Sequence, residues 1–256
     1  MSWAAKRQIF YAFLVLVFLG LVSSYPIYYF FIKHTPTCSD GIQNEGEVGV
    51  DCGGICPRAC FDQVVPQPLV SWARVFPVSG TVYNLVAYIQ NPNVSYVGTP
   101  TRYLFKVFDK ENQLIDVVEN KVPTPPTHTY PIFEQGFDAG KRTPDHATFD
   151  FTDDVIWYKY KGDKSELSVT EEVLSNATSS PRLDAIVNNR TTNTYKNVEV
   201  VAILYDDTGN AIQASRTFIP VLADNDSVHV NFTWPTGFDR SVATIEIIPK
   251  VPFGNK

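Results

Sequence analysis

IFYAFLVLVFLGLVSSYPIYYFFI, residues 9–32, is an apolar stretch of 24 residues without a charged side chain. An α-helix of this length measures about 36 Å, enough to cross a hydrocarbon core of about 30 Å. Lys6 and Arg7 precede the stretch, whereas only Lys33 follows it closely. This charge bias favours an uncleaved signal-anchor, with residues 1–8 as a cytoplasmic tail and the rest of the chain extracytoplasmic.

Two other interpretations of this stretch stay open. The residues up to Leu19 are typical of the apolar part of a cleavable signal peptide, with Val22 and Ser24 at the small-residue positions before a cleavage site. The apolar stretch continues to Ile32, however, which is long for that purpose. A buried core helix is the third interpretation, but such a helix normally keeps a polar face, and this one has none. We therefore expect a transmembrane helix over residues 9–32.

The charge and composition of the remaining chain narrow its possible partners. Without Lys6, Arg7 and Lys33, the 21 basic residues fall to 18 against all 27 acidic residues, a net charge of −9. An acidic body repels phosphate backbones, so we expect no nucleic-acid partner. The 18 prolines and the 13% aromatic content favour strands and turns over long helices.

All four cysteines fall within residues 38–60: Cys38, Cys52, Cys56 and Cys60. A small, even set of cysteines outside a membrane is typical of two disulfides that stabilise a segment without a core of its own. Three pairings are possible, and the spacing alone does not choose among them. A Cys₄ zinc site is the alternative, but zinc ribbons prefer two close cysteine pairs, which are absent from this spacing. We expect disulfides and neither a metal nor a cofactor.

The cysteine segment CSDGIQNEGEVGVDCGGIC, residues 38–56, resembles a short cysteine-rich module of extracellular proteins with the pattern CxDGxxNxxExGxDCGGxC. The module continues with a cysteine after two further residues, whereas three residues separate Cys56 from Cys60 here. The resemblance implies an extracellular linker or stalk over residues 36–62 rather than an enzyme.

The same segment is rich in oxygen ligands that a hard cation such as Ca²⁺ prefers. Its spacing is not that of an EF-hand, and acidic residues in turns are usually only solvated. Calcium binding is therefore a minor hypothesis. The residues concerned are Asp40, Asn44, Glu45, Glu47 and Asp51.

Beyond residue 65 the chain consists of strand-length apolar stretches separated by turns, with a predicted long loop at residues 135–145. An offset of 97 residues aligns Ile89-Gln90-Asn91 with Ile186-Val187-Asn188, and Leu114-Ile115 with Ala211-Ile212. A period near 100 residues with several short strands per copy predicts an all-β body of two tandem β-sandwiches. We place them at residues 66–161 and 164–252.

A short motif supports this prediction. The sequence AILYDDTGN, residues 202–210, resembles the FxLYD type of extracytoplasmic β-sandwich repeat, and FKVFD, residues 105–109, resembles a looser version of it. Ala202 stands where that pattern has an aromatic residue. The resemblance implies an immunoglobulin-like fold, which is used for binding and spacing and rarely for catalysis.

The sequence contains no catalytic motif that we recognise: neither GxSxG, a P-loop nor GxGxxG after a strand is present. The histidines lie in separate segments, and acidic pairs such as Asp206-Asp207 are expected to be solvated turns. Tryptophans near strands are expected in the core, with carbohydrate stacking as the alternative. The histidines are His34, His128, His146 and His229, and these tryptophans are Trp72, Trp157 and Trp234. Separately, N-glycosylation sequons begin at Asn93, Asn176, Asn189, Asn225 and Asn231.

These observations lead to a non-enzymatic, single-pass surface protein that is anchored by residues 9–32 and presents a protein-interaction or spacer body outside the membrane. An auxiliary subunit of a membrane transport or secretion complex is the alternative, in which residues 9–32 would pack against other helices. A hydrolase with its site in residues 135–145 is a third, less favoured hypothesis.

Overall fold

The computed structural model describes residues 3–29, 37–44, 46–65, 67–162 and 167–251. The chain divides into two compact units, Met1–Pro57 and Arg58–Lys256, which are described separately. The predicted anchor residues 30–32, His34, Glu45, and the boundary residues 66, 164 and 252 lie outside the described parts.

The first unit begins with helix α1, Trp3–Ile27, in which no side chain is buried. The helix starts six residues before the predicted anchor because Ala4-Ala5-Lys6-Arg7-Gln8 are all good helix formers. Pro26 lies inside the last turn, and residues 28–29 continue with π-helical bonding. A proline lacks the N–H that the preceding turn needs, which explains the change in hydrogen bonding there.

The second unit starts with a 3₁₀ helix, Phe61–Gln63, and continues with the first β-sandwich. Its two antiparallel sheets have the strand orders β1-β2-β5 and β4-β3-β6, and β7 pairs with the free end of β3. The strands are β1 (Leu69–Ser79), β2 (Val82–Gln90), β3 (Tyr96–Phe108), β4 (Leu114–Thr124), β5 (Thr129–Asp138), β6 (His146–Phe151) and β7 (Trp157–Lys159).

The second sandwich has the sheets β8-β9-β12 and β11-β10-β13. The two sandwiches therefore share the same topology. Counted within each sandwich, the first, second and fifth strands form one sheet, and the third, fourth and sixth strands form the other. The strands are β8 (Leu167–Ser175), β9 (Arg182–Asn189), β10 (Tyr195–Tyr205), β11 (Ala211–Leu222), β12 (Ser227–Thr233) and β13 (Thr244–Lys250). The predicted fold class, an apolar helix and a disulfide-rich segment followed by two β-sandwiches, is confirmed.

Alternating side chains fill the space between the two sheets of each sandwich. In β3, Tyr103, Phe105 and Val107 point inward, and the ring of Phe105 meets that of Phe149 at 5.0 Å between centroids. In β10, Val198, Val200, Ala202 and Leu204 do the same. Complete burial of an aliphatic or aromatic side chain contributes about 1.5–3 kcal/mol, so these two cores account for much of the folding free energy.

The predicted long loop is shorter than residues 135–145. Residues 135–138 are the end of β5, which pairs with β2 from Gln90↔Thr129 to Val82↔Asp138. Pro131 lies earlier in the same strand, paired with Tyr88. The structure tolerates it because β5 is an edge strand, where a missing N–H breaks no ladder on the open side.

Candidate functional site

The cysteine segment is oxidised in the structure. Cys38 and Cys56 form a disulfide, and Cys52 and Cys60 are the other disulfide-bonded residues, so none of the four is a free thiol. The prediction of two disulfides is confirmed. A sulfur in a disulfide is not a thiolate ligand, so the oxidised segment does not match the zinc alternative.

Backbone N–H groups donate hydrogen bonds to the acidic side chains of this segment. Asp51 accepts hydrogen bonds from the N–H groups of Asp40 and Gly41, at 2.9 and 3.0 Å. Asp40 accepts from Ile42 N–H at 3.0 Å, and Glu47 accepts from Asp51 N–H at 3.2 Å. These carboxylates stabilise turns too short to satisfy their own donors. The calcium hypothesis stays a prediction.

One carboxylate caps the same hairpin in each sandwich. After β10, the Oδ1 atom of Asp206 accepts from the N–H groups of Thr208 and Asn210, at 3.1 and 2.9 Å, and Oδ2 accepts from Arg240 at 3.1 Å. Its side chain is only 8% exposed. The hydrogen bonds from the Thr208 hydroxyl and from Asn210 N–H lower its pKa from 3.8 to about 2. The expectation of a merely solvated carboxylate is wrong for Asp206, whereas Asp207 is exposed.

The two sandwiches pack against each other through unlike sheets. Sheet β1-β2-β5 of the first sandwich faces sheet β11-β10-β13 of the second. We call this contact the seam. Side chains on the outer faces of both sheets are excluded from water there. The buried ones are Phe76, Val86, Phe133, Val201, Ile203, Ala211 and Ala214, with Trp72, Tyr88, Tyr205 and Ile248 partly buried beside them.

Polar groups cross the seam at three places. Glu246 accepts hydrogen bonds from the hydroxyls of Tyr88 and Tyr205, at 2.6 and 2.8 Å. Burial, and then the bond to Glu246, raises the pKa of Tyr88 to about 12, and the same causes raise the pKa of Tyr205. Arg74 of β1 donates to the backbone carbonyl of Ala211 at 3.0 Å, and Arg216 of β11 donates to that of Phe133 at 3.2 Å. These bonds fix the register of one sandwich on the other.

A cavity lies at each end of the seam. The larger, about 540 Å³, is lined by Ala73–Pro77 of β1, Asp145 and His146, Ala211–Gln213 of β11, and residues 236–240; we call it the seam cleft. The smaller, about 300 Å³, is mostly apolar and is lined by Val122, Pro123, Pro125, Tyr130, Phe218, Ile248 and Pro249, with the ion-paired Glu199 and Lys250 among its polar residues. Ligand-binding sites are often cavities of about this volume at the junction of two domains.

The histidines and tryptophans lie apart from any catalytic arrangement among the described residues. His146 stacks on Phe108, with Nδ1 3.2 Å from Asp145 Oδ2, while His128 and His229 are exposed. Trp157 and Trp234 are buried, as expected for core residues. Trp72 instead stacks on Tyr88 at the seam, with 5.5 Å between ring centroids.

The sequons differ in their accessibility. Asn93 and Asn189 are buried, and both side chains are engaged: Asn93 donates to the carbonyl of Val65 and Asn189 to that of Ala223, each at 2.7 Å. Asn176, Asn225 and Asn231 are exposed on the second sandwich. Only these three are accessible to modification in the folded state.

Comparison with known proteins gives no family. No protein-family model matches the chain, and no curated protein matches it. A crystal structure of red sea bream transglutaminase is similar over 73% of this chain and 30% of that one, with 10% identity and a TM-score of 0.22. A similarity this weak carries no argument about activity.

Proposed function

We propose that this chain is a non-enzymatic, single-pass membrane protein whose extracytoplasmic body binds another protein. The observation that carries the proposal is helix α1, which is long and apolar enough to cross a membrane and has no buried side chain. The described fold leaves its apolar surface exposed to solvent, and a bilayer would cover that surface.

The oxidised cysteines support the extracytoplasmic assignment. Disulfides persist in secretory and extracellular compartments and are rare in reducing cytosol, so a body with two disulfides is suited to the outside. The basic residues Lys6 and Arg7 at the start of α1 favour the matching orientation. Both favour a body on the extracytoplasmic side of the membrane. The apolar stretch continues to Ile32, longer than a cleavable signal peptide needs, and this length favours an anchor that is retained.

The seam supports a binding role for the body. Immunoglobulin-like sandwiches are commonly used for binding, and here two of them are fixed in one orientation by a buried interface and three sets of polar bonds. A rigid body presents its loops and strand edges without the entropic cost of ordering two independent domains. Their shared topology and the 97-residue offset support an origin by duplication of an FxLYD-type unit.

The helix gives less support to the alternative, an auxiliary subunit of a transport or secretion complex. Ser23 and Ser24 are polar residues that could join neighbouring helices, but their hydroxyls bond back to the carbonyls of Leu19 and Leu21 in the same helix. Interhelical hydrogen bonds would require these hydroxyls to turn outward.

Translation of the full chain with endoplasmic-reticulum microsomes tests the topology. An extracytoplasmic body in this orientation gains glycans, sensitive to an amidase that removes N-glycans, and resists alkaline extraction at its full mass. The variant N176Q/N225Q/N231Q is the control that should lose the glycans on exposed sites. An unglycosylated, protease-accessible body overturns the orientation, and a shortened, extractable chain overturns the anchor.

Purification of the detergent-extracted chain from its native cells tests the binding role. A stoichiometric soluble or surface partner is the expected result. A stoichiometric multi-spanning partner would instead favour the auxiliary-subunit alternative, and a lone monomer would contradict both.

A further inference from the structure

The seam cleft is walled by the edges of strands rather than by their faces. Five consecutive residues of β1, Ala73–Pro77, line it. Neighbouring residues of a strand point to opposite faces of the sheet, so such a run lines one cavity only where the backbone edge faces it. Ala211–Gln213 of β11 line the opposite wall in the same way.

Each wall is a strand with one hydrogen-bonded neighbour among the described strands, although β1 also lies beside β6, and β11 beside β12, in its own sandwich. β1 pairs with β2 alone, and β11 pairs with β10 alone. A strand with one neighbour directs every second N–H and C=O pair away from it, and such groups are a template for a further strand. Arg74 already satisfies one of them, the carbonyl of Ala211. The pairing pattern therefore directs backbone donors and acceptors of β1 towards the cleft, with Phe76, 3% exposed, the least accessible residue of the run.

Side chains in the cleft add a hydrogen-bond acceptor and a charged hydrogen-bond donor. The Oε1 atom of Gln213 is buried and has no hydrogen-bond donor among the described residues. A buried acceptor in this state is destabilising, and rotation of the Gln213 amide towards the cleft brings it to a ligand N–H. Arg240 bonds Asp206 but is 65% exposed, so part of its guanidinium faces the solvent of the cleft.

We propose that the seam cleft binds an extended peptide of a partner protein, which adds as a strand to the open edge of β1. This deepens the protein-binding function proposed above and rests on it. Main-chain hydrogen bonds to β1 supply the affinity in this mode of recognition, and pockets beside the edge supply the specificity. The five residues of β1 span about 17 Å, so the cleft holds about five residues of the peptide.

The chemistry of the cleft sets features of that peptide. Pro77 lacks an N–H, so the added strand ends near it. The Gln213 amide, rotated towards the cleft, accepts from a peptide N–H, and the partly exposed Arg240 favours a carbonyl or carboxylate. The backbone of a peptide alone supplies the N–H for Gln213 and the C=O for Arg240. An uncharged backbone suits this cleft because its two basic residues are balanced by two acidic ones; they are Arg74, Arg240, Asp145 and Asp239.

A random heptapeptide library displayed on phage is the probe. Selection on the full chain in detergent micelles yields peptides whose affinity is then measured with fluorescein-labelled synthetic copies. A strand added to β1 exposes only every second N–H to the protein, so N-methylation along the peptide should weaken binding about tenfold or more at alternate positions and leave the others unchanged.

Two matched substitutions locate the site. Arg240→Ala should weaken binding about tenfold, whereas Arg182→Ala, which removes a 51% exposed guanidinium paired with Asp184 on the outer sheet, should leave it unchanged. Gln213→Ala should also weaken it, with the near-ultraviolet circular dichroism of each variant showing an intact fold. No enriched peptide, peptides tolerant of N-methylation throughout, or peptides insensitive to Arg240→Ala would each overturn the proposal. Peptides that bind elsewhere would leave the protein-binding function standing, whereas a monomer without a native partner would contradict that function itself.

Discussion

Asp109 and Asp206, 97 residues apart, occupy the same place in the two sandwiches. Each follows the third strand, accepts hydrogen bonds from the N–H groups two and four residues ahead, and pairs with an arginine from the loop before the sixth strand. The hairpin completes its turn with a positive φ in both copies, at Asn112 (57°) and Gly209 (79°). The aspartate of the FxLYD-like motif is thus a turn cap.

Asp206→Asn should change the acid stability of the body. The folded pKa of Asp206 lies near 2, below its ordinary 3.8, so its contribution is complete above about pH 4 and is lost as the pH falls towards 2. The variant should be less stable at pH 7 and should lose part of this acid dependence. Urea unfolding of the full chain in micelles at pH 2, 3, 4 and 7 measures it. Asp207→Asn, one residue away and exposed, is the control and should behave as the parent.

Glu246→Ala should weaken the seam. Two tyrosine hydroxyls lose a charged acceptor, and since water reaches the half-buried rings, we expect a loss of about 2 kcal/mol rather than the sum of two full bonds. Tyr88→Phe and Tyr205→Phe should each cost less, and combining either with Glu246→Ala should add little. The free energy of unfolding measures these effects. Glu172→Ala, at an exposed position of β8, is the control, and an equal loss there would refute the assignment.

The uncharged stretch at residues 9–32, the cysteine spacing and the 97-residue offset were sufficient to predict the anchor-capable helix, the disulfides and the sandwich fold. The seam was not predicted, although β10 carries its signal: Val198, Val200, Ala202 and Leu204 form one apolar face of the strand. Its other face carries Val201, Ile203 and Tyr205, which are apolar too, and a strand apolar on both faces is buried on both. Which surface covers the second face depends on distant residues such as Phe76 and Phe133, and local patterns do not disclose that pairing.

Truncation should cost far more at Ile203 than at Lys106, the equivalent position of the first sandwich. Ile203 lies in the seam, whereas the sheet that carries Lys106 faces solvent. Lys106 is the residue 97 positions before Ile203 and lies on the outer sheet of the first sandwich, 43% exposed and paired with Asp150. Ile203 is fully buried at the seam. We expect a loss of about 2–5 kcal/mol for Ile203→Ala and a change within about 0.5 kcal/mol for Lys106→Ala in urea unfolding. Similar values for both would contradict the seam.

Removing the Cys38–Cys56 disulfide should loosen the cysteine segment and leave the sandwiches intact. The bond closes a loop with a sequence separation of 18, for which the chain-entropy model gives a stabilisation of about 3 kcal/mol. The segment has little core besides Cys56, and its turns depend on carboxylate caps that the disulfide holds in place. In the variant C38S/C56S, limited proteolysis should cut within residues 38–56 much faster than in the parent, while the melting temperature of the body stays unchanged. The conservative surface variant Ser39→Ala is the control and should be cut at the parental rate. Unchanged cleavage in the double variant would show that the caps suffice without the disulfide.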